Sequence, residues 1–469
     1  MSTRVAVVGG GVSGLAAAHR LRARLGPDAE IVLFEQTGRL GGKLCTVPLA
    51  AGALDLGAEA FLARRPEVVR LAEELGLSDQ VEYPGGATAR VRAGGALHPL
   101  PGGTVMGVPS DPEALRGVLS EDGMAALRAE SELPPLSWSG DDSVGRLLRE
   151  RVGDEVVDRL VEPLLGGVYS GSADGLGLRA TIPTLAAALD AGARSITSAV
   201  AATLAPPVPD GPKPPVFGAF RGGYRQLVDR LVEAASPRLR LGLPVRALHR
   251  SGDRWRLEIG SAAAPEHADF DGVVLAVPAP AARRLLAAEV PAAAELLGGV
   301  ELASMAVLGI ALPAGTELPN ASGTLIARGE AHADGTPFTA KAFTFSSRKW
   351  PHLSGPGGEV YLRASVGRSG DDELLRLTDA EMLRRVLADL REITGVTAEP
   401  VDSAVVRWGG GLPQYGVGHL DAVAELERAV SGAGGLALAG AALHGVGVPA
   451  CVSTGEAAAT TVTRHLVAA

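Results

Sequence analysis

The sequence is poor in the residues that metal sites, disulfide scaffolds and base-stacking surfaces need. Only two cysteines, Cys45 and Cys451, occur among 469 residues, so we expect neither a disulfide framework nor a metal site. Aromatic residues make up 4% of the chain and the formal net charge is -9, which argues against a nucleic-acid partner. No apolar run reaches the roughly 18 residues of a membrane-spanning helix, and no secretory signal opens the chain. We therefore expect a cytoplasmic protein.

Hydrophobic and charged residues occur in the proportions of a folded protein. Hydrophobic residues make up 46% of the chain and charged residues 21%, which allows a large buried core. A chain of 469 residues exceeds the size of one ordinary core, so two or three domains are expected. A proline-rich stretch at residues 205–216 (APPVPDGPKPPV) is predicted to be an exposed loop between them.

Hydrophobic periodicity predicts a βαβ unit at the N-terminus, with a strand at residues 4–9, a helix at 12–25 and a strand at 30–35. Helical periodicity recurs at 143–165 and 185–204. Apolar runs predict strands at 254–259, 272–277, 305–312, 340–345 and 360–366. Near the C-terminus we expect a strand at 436–440, a glycine-rich turn, and a helix from about 451 to 466. This order predicts an α/β protein in which a helical insertion precedes a sheet-rich half.

A glycine motif lies between the first predicted strand and helix. Gly9, Gly11 and Gly14 form GxGxxG, in which the missing side chains let the backbone approach a pyrophosphate at the helix N-terminus. Glu35 ends the second strand, where a carboxylate would bind ribose hydroxyls and disfavour a 2'-phosphate. The pattern therefore predicts a dinucleotide other than NADP.

A second glycine-rich segment follows directly. Residues 39–43 carry Arg39, Gly42 and Lys43 in the sequence RLGGK, which places cations and bare backbone where an extended dinucleotide would continue. This favours FAD over NAD. The segment resembles the glycine-arginine loop of the flavin-containing amine oxidase superfamily, and residues 55–62 (DLGAEAFL) resemble the segment that passes the flavin there.

Four further stretches resemble the oxygen-dependent protoporphyrinogen and coproporphyrinogen oxidases over essentially the whole chain. They are residues 97–109 (LHPLPGGTVMGVP), 151–171 (RVGDEVVDRLVEPLLGGVYSG), 407–420 (RWGGGLPQYGVGHL) and 440–451 (GAALHGVGVPAC). The first two are most similar to the soluble Gram-positive branch, whose product is coproporphyrin III.

The resemblance implies a Rossmann-type FAD-binding domain of the p-hydroxybenzoate-hydroxylase-like kind, a sheet-based substrate domain and a helical insertion domain. The FAD-binding domain would comprise residues 1–60, 206–295 and 406–469, the substrate domain 61–85 and 296–405, and the helical domain 86–205. The FAD contacts it implies are Gly9, Gly10, Gly11, Val12, Ser13, Gly14, Glu35, Gln36, Arg39, Gly42, Lys43, Gly57, Ala58, Glu59, Ala60, Val245, Trp408, Val446, Gly447 and Val448.

The resemblance further implies that the flavin oxidises a porphyrinogen in three two-electron steps and passes the electrons to dioxygen, giving hydrogen peroxide. A flat apolar ring needs an apolar pocket, for which we predict Gly167, Val168, Tyr169, Met305 and Phe343. Coproporphyrinogen III also carries four propionates, and arginines are their expected partners. The candidates are Arg64, Arg65, Arg90 and Arg92, with Lys341 and Arg348 to Lys349 as weaker ones.

Several alternatives stay open at this point. Protoporphyrinogen IX is the nearest rival substrate; a flavin amine oxidase and a non-catalytic flavin sensor are remote ones. His98, His419 and His444 lie in family-like segments, but none is assigned as a general base. A transient contact with a downstream ferrochelatase also stays open. Charges in the helical part, such as Arg149 and Asp158, argue that membrane contact is at most peripheral.

Overall fold

The computed structural model describes residues 3–204, 215–353 and 358–468. Of the predicted proline-rich loop, only Pro215 and Val216 belong to the described residues. The strands are β1 (Arg4–Val8), β2 (Glu30–Glu35), β3 (Thr46–Leu49), β4 (Gly52–Asp55), β5 (Phe61–Leu62), β6 (Val81–Glu82), β7 (Ala89–Ala93), β8 (Ala96–Pro99), β9 (Thr104–Val105), β10 (Val108–Pro109), β11 (Phe217–Phe220), β12 (Arg238–Leu241), β13 (Val245–Ser251), β14 (Arg254–Ser261), β15 (Ala264–Phe270), β16 (Gly272–Leu275), β17 (Leu302–Leu312), β18 (Gly323–Ile326), β19 (Ala340–Thr344), β20 (Val360–Val366), β21 (Asp402–Pro413) and β22 (Leu436–Leu438).

The described residues also form α-helices. They are α1 (Val12–Leu25), α2 (Pro66–Glu74), α3 (Glu121–Ala129), α4 (Val144–Val152), α5 (Asp154–Val156), α6 (Glu162–Tyr169), α7 (Leu178–Thr181), α8 (Pro183–Asp190), α9 (Ile196–Thr203), α10 (Arg225–Ala235), α11 (Ala279–Leu286), α12 (Pro291–Gly298), α13 (Ser346–Lys349), α14 (Asp372–Leu375), α15 (Asp379–Thr394), α16 (His419–Ser431) and α17 (Val448–Ala468).

A five-stranded parallel sheet in the order β12-β2-β1-β16-β22 forms the centre of the nucleotide-binding half. Its strands come from the three separate segments predicted to bind FAD. Helices α1, α10 and α17 cover one face, and helices α11, α12 and α16 with strands β13 to β15 cover the other. The inner strands β1 and β16 are buried on both faces, which explains why they are apolar apart from Arg4 at the start of β1.

The second half is built on a seven-stranded sheet in the order β21-β17-β20-β19-β18-β7-β8. Helix α15 packs its apolar side against one face through Met382, Val386 and Leu390. Residues of β3 and β4 cover part of the opposite face, which places that face toward the nucleotide-binding half. A separate apolar core lies among α3 to α9, and α6 ends beside β18 and β19.

Several local predictions are confirmed residue for residue. Helix α1 and strands β2 and β20 have the predicted bounds. The last helix begins at Val448, three residues before the predicted start. The predicted helix at residues 143–165 is broken at Gly153, whose φ of 90° belongs to the left-handed region, and a π-helical segment at Val157–Val161 joins α5 to α6.

Two predicted domain boundaries are corrected by the packing. The segment at residues 86–205 does not begin with helices, because β7 and β8 extend the seven-stranded sheet through parallel pairing of β7 with β18. The segment at residues 61–85 contributes Phe61, Val68 and Leu71 to the core around α1 and α17, so these residues pack with the nucleotide-binding half. Both errors concern partners that lie far away along the chain.

Candidate active site and cofactor cleft

The first glycine loop brings the backbone of β1 against the start of α1. A Cβ on Gly14 would lie 1.9 Å from the Gly9 carbonyl oxygen, and one on Gly9 would lie 2.3 Å from the Ala276 oxygen. These two glycines allow close packing, whereas Gly11 has only the Gly42 Cα, at 3.9 Å, within reach of an added Cβ. Among the described residues no side chain caps α1, so the N–H groups of its first turn face the cleft.

Glu35 is held by the backbone at the end of β2. Its Oε2 accepts from the Gly10 N–H at 2.9 Å, and its Oε1 accepts from the Thr37 N–H at 2.8 Å. A carboxylate fixed in this way still has oxygen lone pairs that can accept hydrogen bonds from ribose hydroxyls. Gln36 lies beside it on the cleft wall.

The second glycine loop lies directly against the first. Gly41 N–H donates to the Gly10 oxygen at 2.8 Å, and a Cβ on Gly42 would lie 3.0 Å from the Gly11 Cα. Arg39 lines the cleft, but its guanidinium also donates to the carbonyl oxygens of Leu44 (2.9 Å) and Gly42 (2.6 Å). Arg39 therefore stabilises the conformation of the second glycine loop.

Lys43 points into the same cleft and is largely buried, which lowers the pKa of its amine. The buried Cys451 thiol lies near it, and burial raises the pKa of that thiol. Cys451 lines the cleft and was not among the predicted residues, because a lone cysteine in a helix carries no sequence signal for a cofactor.

Residues 57–60 cross under this loop. A Cβ on Gly57 would lie 1.9 Å from the Lys43 carbonyl oxygen, so only glycine fits there. Ala58 lines the cleft, and the Trp408 indole N–H anchors the adjacent wall by donating to the Leu56 oxygen at 2.8 Å. Ala60 leads directly into β5.

The Glu59 side chain is held by residues of the sheet-based half. Its carboxylate accepts from Lys349 Nζ at 2.8 Å and from the Ser346 hydroxyl at 3.2 Å, and it lies 3.7 Å from Arg363 Nη1. Despite desolvation by burial, the Lys349 and Arg363 charges lower the pKa of Glu59 to about 2. Glu59 joins the two halves by an internal ion pair, which also explains Lys349, a weaker substrate candidate.

The last turn completes the cleft. Val446 and Val448 line it, Gly447 lies between them, and the Gly447 oxygen accepts from the Cys451 N–H at 3.0 Å. Helix α17 begins at Val448 and packs closely on α1, because a Cβ on Gly455 would lie 2.2 Å from the Ser13 oxygen. Both helices direct the positive end of their dipoles at the cleft.

One continuous cleft therefore unites most of the predicted cofactor residues. Its predicted lining residues are Gly9, Gly11, Val12, Ser13, Glu35, Gln36, Arg39, Gly42, Lys43, Ala58, Val245, Trp408, Val446 and Val448. Unpredicted lining residues include Arg284, Gly409 to Pro413 and Gly440 to Ala442. The bare glycine cradle, the fixed carboxylate and two helix N-termini match the donor set of an adenine dinucleotide.

The predicted substrate side lies where α6 meets the sheet. Gly167 and Val168 are exposed at the end of α6, with 43% of the Val168 surface accessible, whereas the Tyr169 ring is buried. Tyr169 packs against Tyr415 with 5.6 Å between ring centroids, and its backbone oxygen accepts from Gln414 Nε2 at 2.8 Å. Met305 is half-buried and pairs in register with Trp408 of the cleft.

Phe343 is corrected from a substrate contact to a core residue. It is 2% exposed and packs in the cluster that includes Met382 and Val386 of α15. Met305 belongs to the opposite face of the sheet, beside β3 and β4. The two side chains therefore cannot contact the same small molecule.

The predicted propionate arginines do not converge. Arg92 pairs with Glu330 at 3.1 Å and stacks over Phe338, Arg65 pairs with Glu67, and Arg64 is exposed. Arg90 is half-buried on the same face of β7 as Arg92, turned away from the helical core that Val91 and Ala93 enter. The prediction of Arg92 and Arg65 as carboxylate ligands is corrected, because acidic neighbours already neutralise them.

The three histidines of family-like segments all have structural partners. His419 stacks on Tyr415 with 3.9 Å between centroids, and its Nε2 lies 2.9 Å from the Leu443 oxygen. His444 is exposed and lies 2.7 Å from Glu427, and His98 lies 3.0 Å from the Ala93 oxygen. None of these three histidines lines the cleft.

The two glycine loops and the fixed Glu35 carboxylate lie on a parallel sheet, which is joined to a larger mixed sheet. This arrangement defines a dinucleotide-dependent oxidoreductase that is built from two halves. The family model of flavin containing amine oxidoreductases matches residues 12–463, and the chain belongs to that family. Its cofactor is FAD.

Comparison with known proteins narrows the relationship further. The chain is 43% identical over 471 residues to the coproporphyrinogen III oxidase of Mycobacterium tuberculosis, which covers 98% of this chain and 97% of the relative. It is 32% identical to the coproporphyrinogen III oxidase of Bacillus subtilis, covering 97% and 96%. A crystal structure from Exiguobacterium sp. 255-15, assigned as a protoporphyrinogen oxidase, superposes with a TM-score of 0.85 at 31% identity and covers 99% of both chains.

Within the described part of the chain, no helix combines the length and apolar character that crossing a bilayer would demand.

Proposed function

We propose that this flavoprotein oxidises coproporphyrinogen III to coproporphyrin III in haem biosynthesis, with dioxygen as acceptor and hydrogen peroxide as co-product. The observation that carries the proposal is the full-length similarity to two relatives named coproporphyrinogen III oxidase. The cleft supports it, because its wall continues along Gly409 to Pro413 toward the end of α6, where an apolar side chain is exposed.

FAD supplies, when bound, a two-electron acceptor whose reduced form reacts with dioxygen. The residues of the chain bind and orient the reactants. Glu35, Lys43 and the first turn of α1 hold the dinucleotide. Val168 and Met305 offer apolar surface to a flat ring, and the buried ring of Tyr169 stiffens the wall behind them. Apolar walls of this kind exclude water from the bridge carbon that loses hydrogen.

Protoporphyrinogen IX remains the rival substrate for a specific reason. Arg92 and Arg65 are paired with carboxylates, and the Exiguobacterium structure is assigned to protoporphyrinogen oxidation. A substrate with fewer propionates would need fewer free cations.

The test is anaerobic mixing of the purified holoprotein with each porphyrinogen, followed by admission of oxygen. Flavin absorbance should bleach first with coproporphyrinogen III, and porphyrin fluorescence should rise with it. Faster bleaching by protoporphyrinogen IX would replace the proposed substrate by its rival. Absence of bleaching by both would exclude porphyrinogen oxidation and favour the amine oxidase or sensor alternatives.

A further inference from the structure

Arg284 lines the cofactor cleft and has no acidic partner. It belongs to helix α11, where Ala281 and Leu285 line the cleft beside it on the same helix face. Within residues 3–204, 215–353 and 358–468, no protein group forms an ion pair or a hydrogen bond with its guanidinium. The side chain is exposed at the edge of the cleft, so its planar charged group is available to a ligand.

The neighbouring Arg283 provides a direct comparison. It is also exposed, but its guanidinium turns toward helix α12, where Cζ would lie 3.2 Å from a Cβ built on Gly298. Arg283 is not among the residues that line the cleft. Of these two adjacent arginines, Arg284 is therefore the one that can contact a molecule bound in the cleft.

The charge of the cleft wall differs from that of the whole chain. Arg39, Lys43 and Arg284 line the cleft against the single carboxylate of Glu35, so three positive charges and one negative charge give +2. The formal net charge of the chain is -9. A locally positive cleft in an acidic protein fits a ligand with a doubly charged pyrophosphate, as in FAD.

Arg284 lies beside an apolar slot that begins next to Glu35. One wall of the slot is the connection from β12 to β13, and its Leu243 N–H donates to the backbone oxygen of Glu35 at 3.2 Å. The opposite wall is the first part of helix α11, which packs on β13 in the same apolar core. The slot is lined by Leu243, Pro244, Val245, Pro278, Ala281 and Leu285.

The order of groups along a dinucleotide indicates which part of FAD would enter this slot. The N–H groups at the start of α1 fit the pyrophosphate, and the Glu35 carboxylate fits the adenosine ribose. The adenine follows the ribose, so it continues past Glu35 along Leu243. A flat ring with two apolar faces fits the walls of the slot, and a planar guanidinium stacks well on such a ring.

We propose that Arg284 binds the adenine ring of FAD by stacking its guanidinium on the face of the ring. The apolar slot packs against the rest of the ring, and the aliphatic part of the Arg284 side chain covers the edge of the slot. Arg284 thereby helps the cleft to discriminate FAD from flavins that lack adenine. The proposal concerns binding of the cofactor and does not depend on which substrate is oxidised.

Two other roles of Arg284 would give different results. An arginine that paired with the pyrophosphate would act through its charge, so lysine would replace it and salt would weaken it. An arginine that stayed in solvent would contribute nothing to FAD binding. Stacking depends instead on a planar group, which tyrosine supplies without a charge and lysine does not supply.

The experiment measures the dissociation constant of FAD by diluting the holoprotein and recording the fluorescence of released flavin. Arg284→Ala should raise this constant about 2-fold to 30-fold, the range expected for a cation on an aromatic face. Arg284→Tyr should remain close to wild type, whereas Arg284→Lys should lose most of the affinity. Arg283→Ala is the matched control and should bind FAD like wild type, since substitutions at exposed positions rarely disturb the fold.

FMN and salt separate the stacking role from the charge role. Arg284→Ala should bind FMN as wild type does, because FMN has no adenine, and its defect with FAD should persist between about 50 mM and about 500 mM salt. If Arg284→Lys binds FAD well, Arg284→Tyr does not, and salt removes the difference, Arg284 pairs with the pyrophosphate and the proposal fails. Equal dissociation constants for Arg284→Ala, Arg283→Ala and wild type would also overturn it.

Discussion

At the scale of single residues, Gly57 shows how the cofactor cleft depends on a missing side chain. A Cβ on Gly57 would lie 1.9 Å from the Lys43 carbonyl oxygen, so Gly57→Ala must push the second glycine loop away from its place. We expect the variant to lose most of its bound FAD and about 1 to 3 kcal/mol of stability. The ratio of flavin to protein absorbance and the thermal unfolding midpoint measure both effects.

Gly38 supplies the matched control in the same loop. No atom lies within 4 Å of a Cβ built on it, so Gly38→Ala should keep the wild-type flavin content. Equal loss of flavin in both variants would show that the loop tolerates no substitution, whatever the contact with Lys43.

The ion pair of Glu59 makes the free energy of unfolding depend on pH in a specific way. Its pKa falls from 4.5 to about 2 in the folded protein, so its ion pair with Lys349 stabilises the fold fully above about pH 4.5 and is lost as the pH falls through about 2. A shift of this size corresponds to about 3 kcal/mol. Glu59→Gln should therefore lose about that amount of unfolding free energy near pH 7, measured by urea denaturation.

The difference between wild type and Glu59→Gln should shrink between about pH 4.5 and pH 2, because the wild-type carboxyl also becomes neutral. Glu73→Gln, at an exposed position of α2, should show little loss at any pH. A loss for Glu59→Gln that stayed constant down to pH 2 would mean that packing, and not charge, holds the two halves together here.

At the scale of elements, a carboxylate of helix α15 binds the backbone at the start of strand β19. The Asp389 carboxylate accepts from the N–H groups of Thr339 (2.9 Å) and Ala340 (2.7 Å) and lies 2.6 Å from His332 Nε2. Asp389→Ala would leave two buried N–H groups without acceptors and should cost about 3 kcal/mol. Chemical denaturation measures the cost, and Glu392→Ala, on the exposed side of the same helix, should cost little. A similar cost for both would exclude this role of Asp389.

The same strand explains where sequence reasoning succeeds and where it fails. In the βαβ opening the helix and the second strand were predicted to the residue and the first strand to within one residue, because the glycine spacing and the 3.6-residue periodicity are both local. In β19, strict alternation would place Lys341 and Phe343 on one face. The bulge between Ala340 and Ala342 breaks that alternation, so Phe343 enters the core and Lys341 turns toward α6. No feature of the local sequence predicts the bulge.

The prediction for Arg92 failed for a related reason. Arg92 looked free in the sequence, but its partner Glu330 lies 238 residues away and is brought near by the parallel pairing of β7 with β18. Most of the predicted cofactor residues line one cleft, and each of them lies in a short motif with its own spacing. Substrate residues are contributed singly by distant strands, and no spacing rule connects them.

At the scale of the whole molecule, the cofactor cleft connects segments that are distant in the chain. The cleft extends from Glu35 at the end of β2 to Val446 before α17, and it also takes Val245 and Trp408 from other segments. A ligand that binds only the folded state stabilises it by about 2.7 kcal/mol at a concentration 100 times its Kd. Stripping FAD should therefore lower the unfolding midpoint, and adding FAD back should restore it.

FMN is the control that tests whether the whole cleft takes part. It carries the flavin ring but lacks the adenosine whose ribose we propose that Glu35 binds. If the two ends of the cleft act together, FMN at the same concentration should restore only a small part of the midpoint, since the contacts of the first glycine loop and β2 stay unmade. A midpoint with FMN equal to that with FAD would mean that the flavin end alone holds the segments together, and that Glu35 and its loop contribute nothing to the assembly of the molecule.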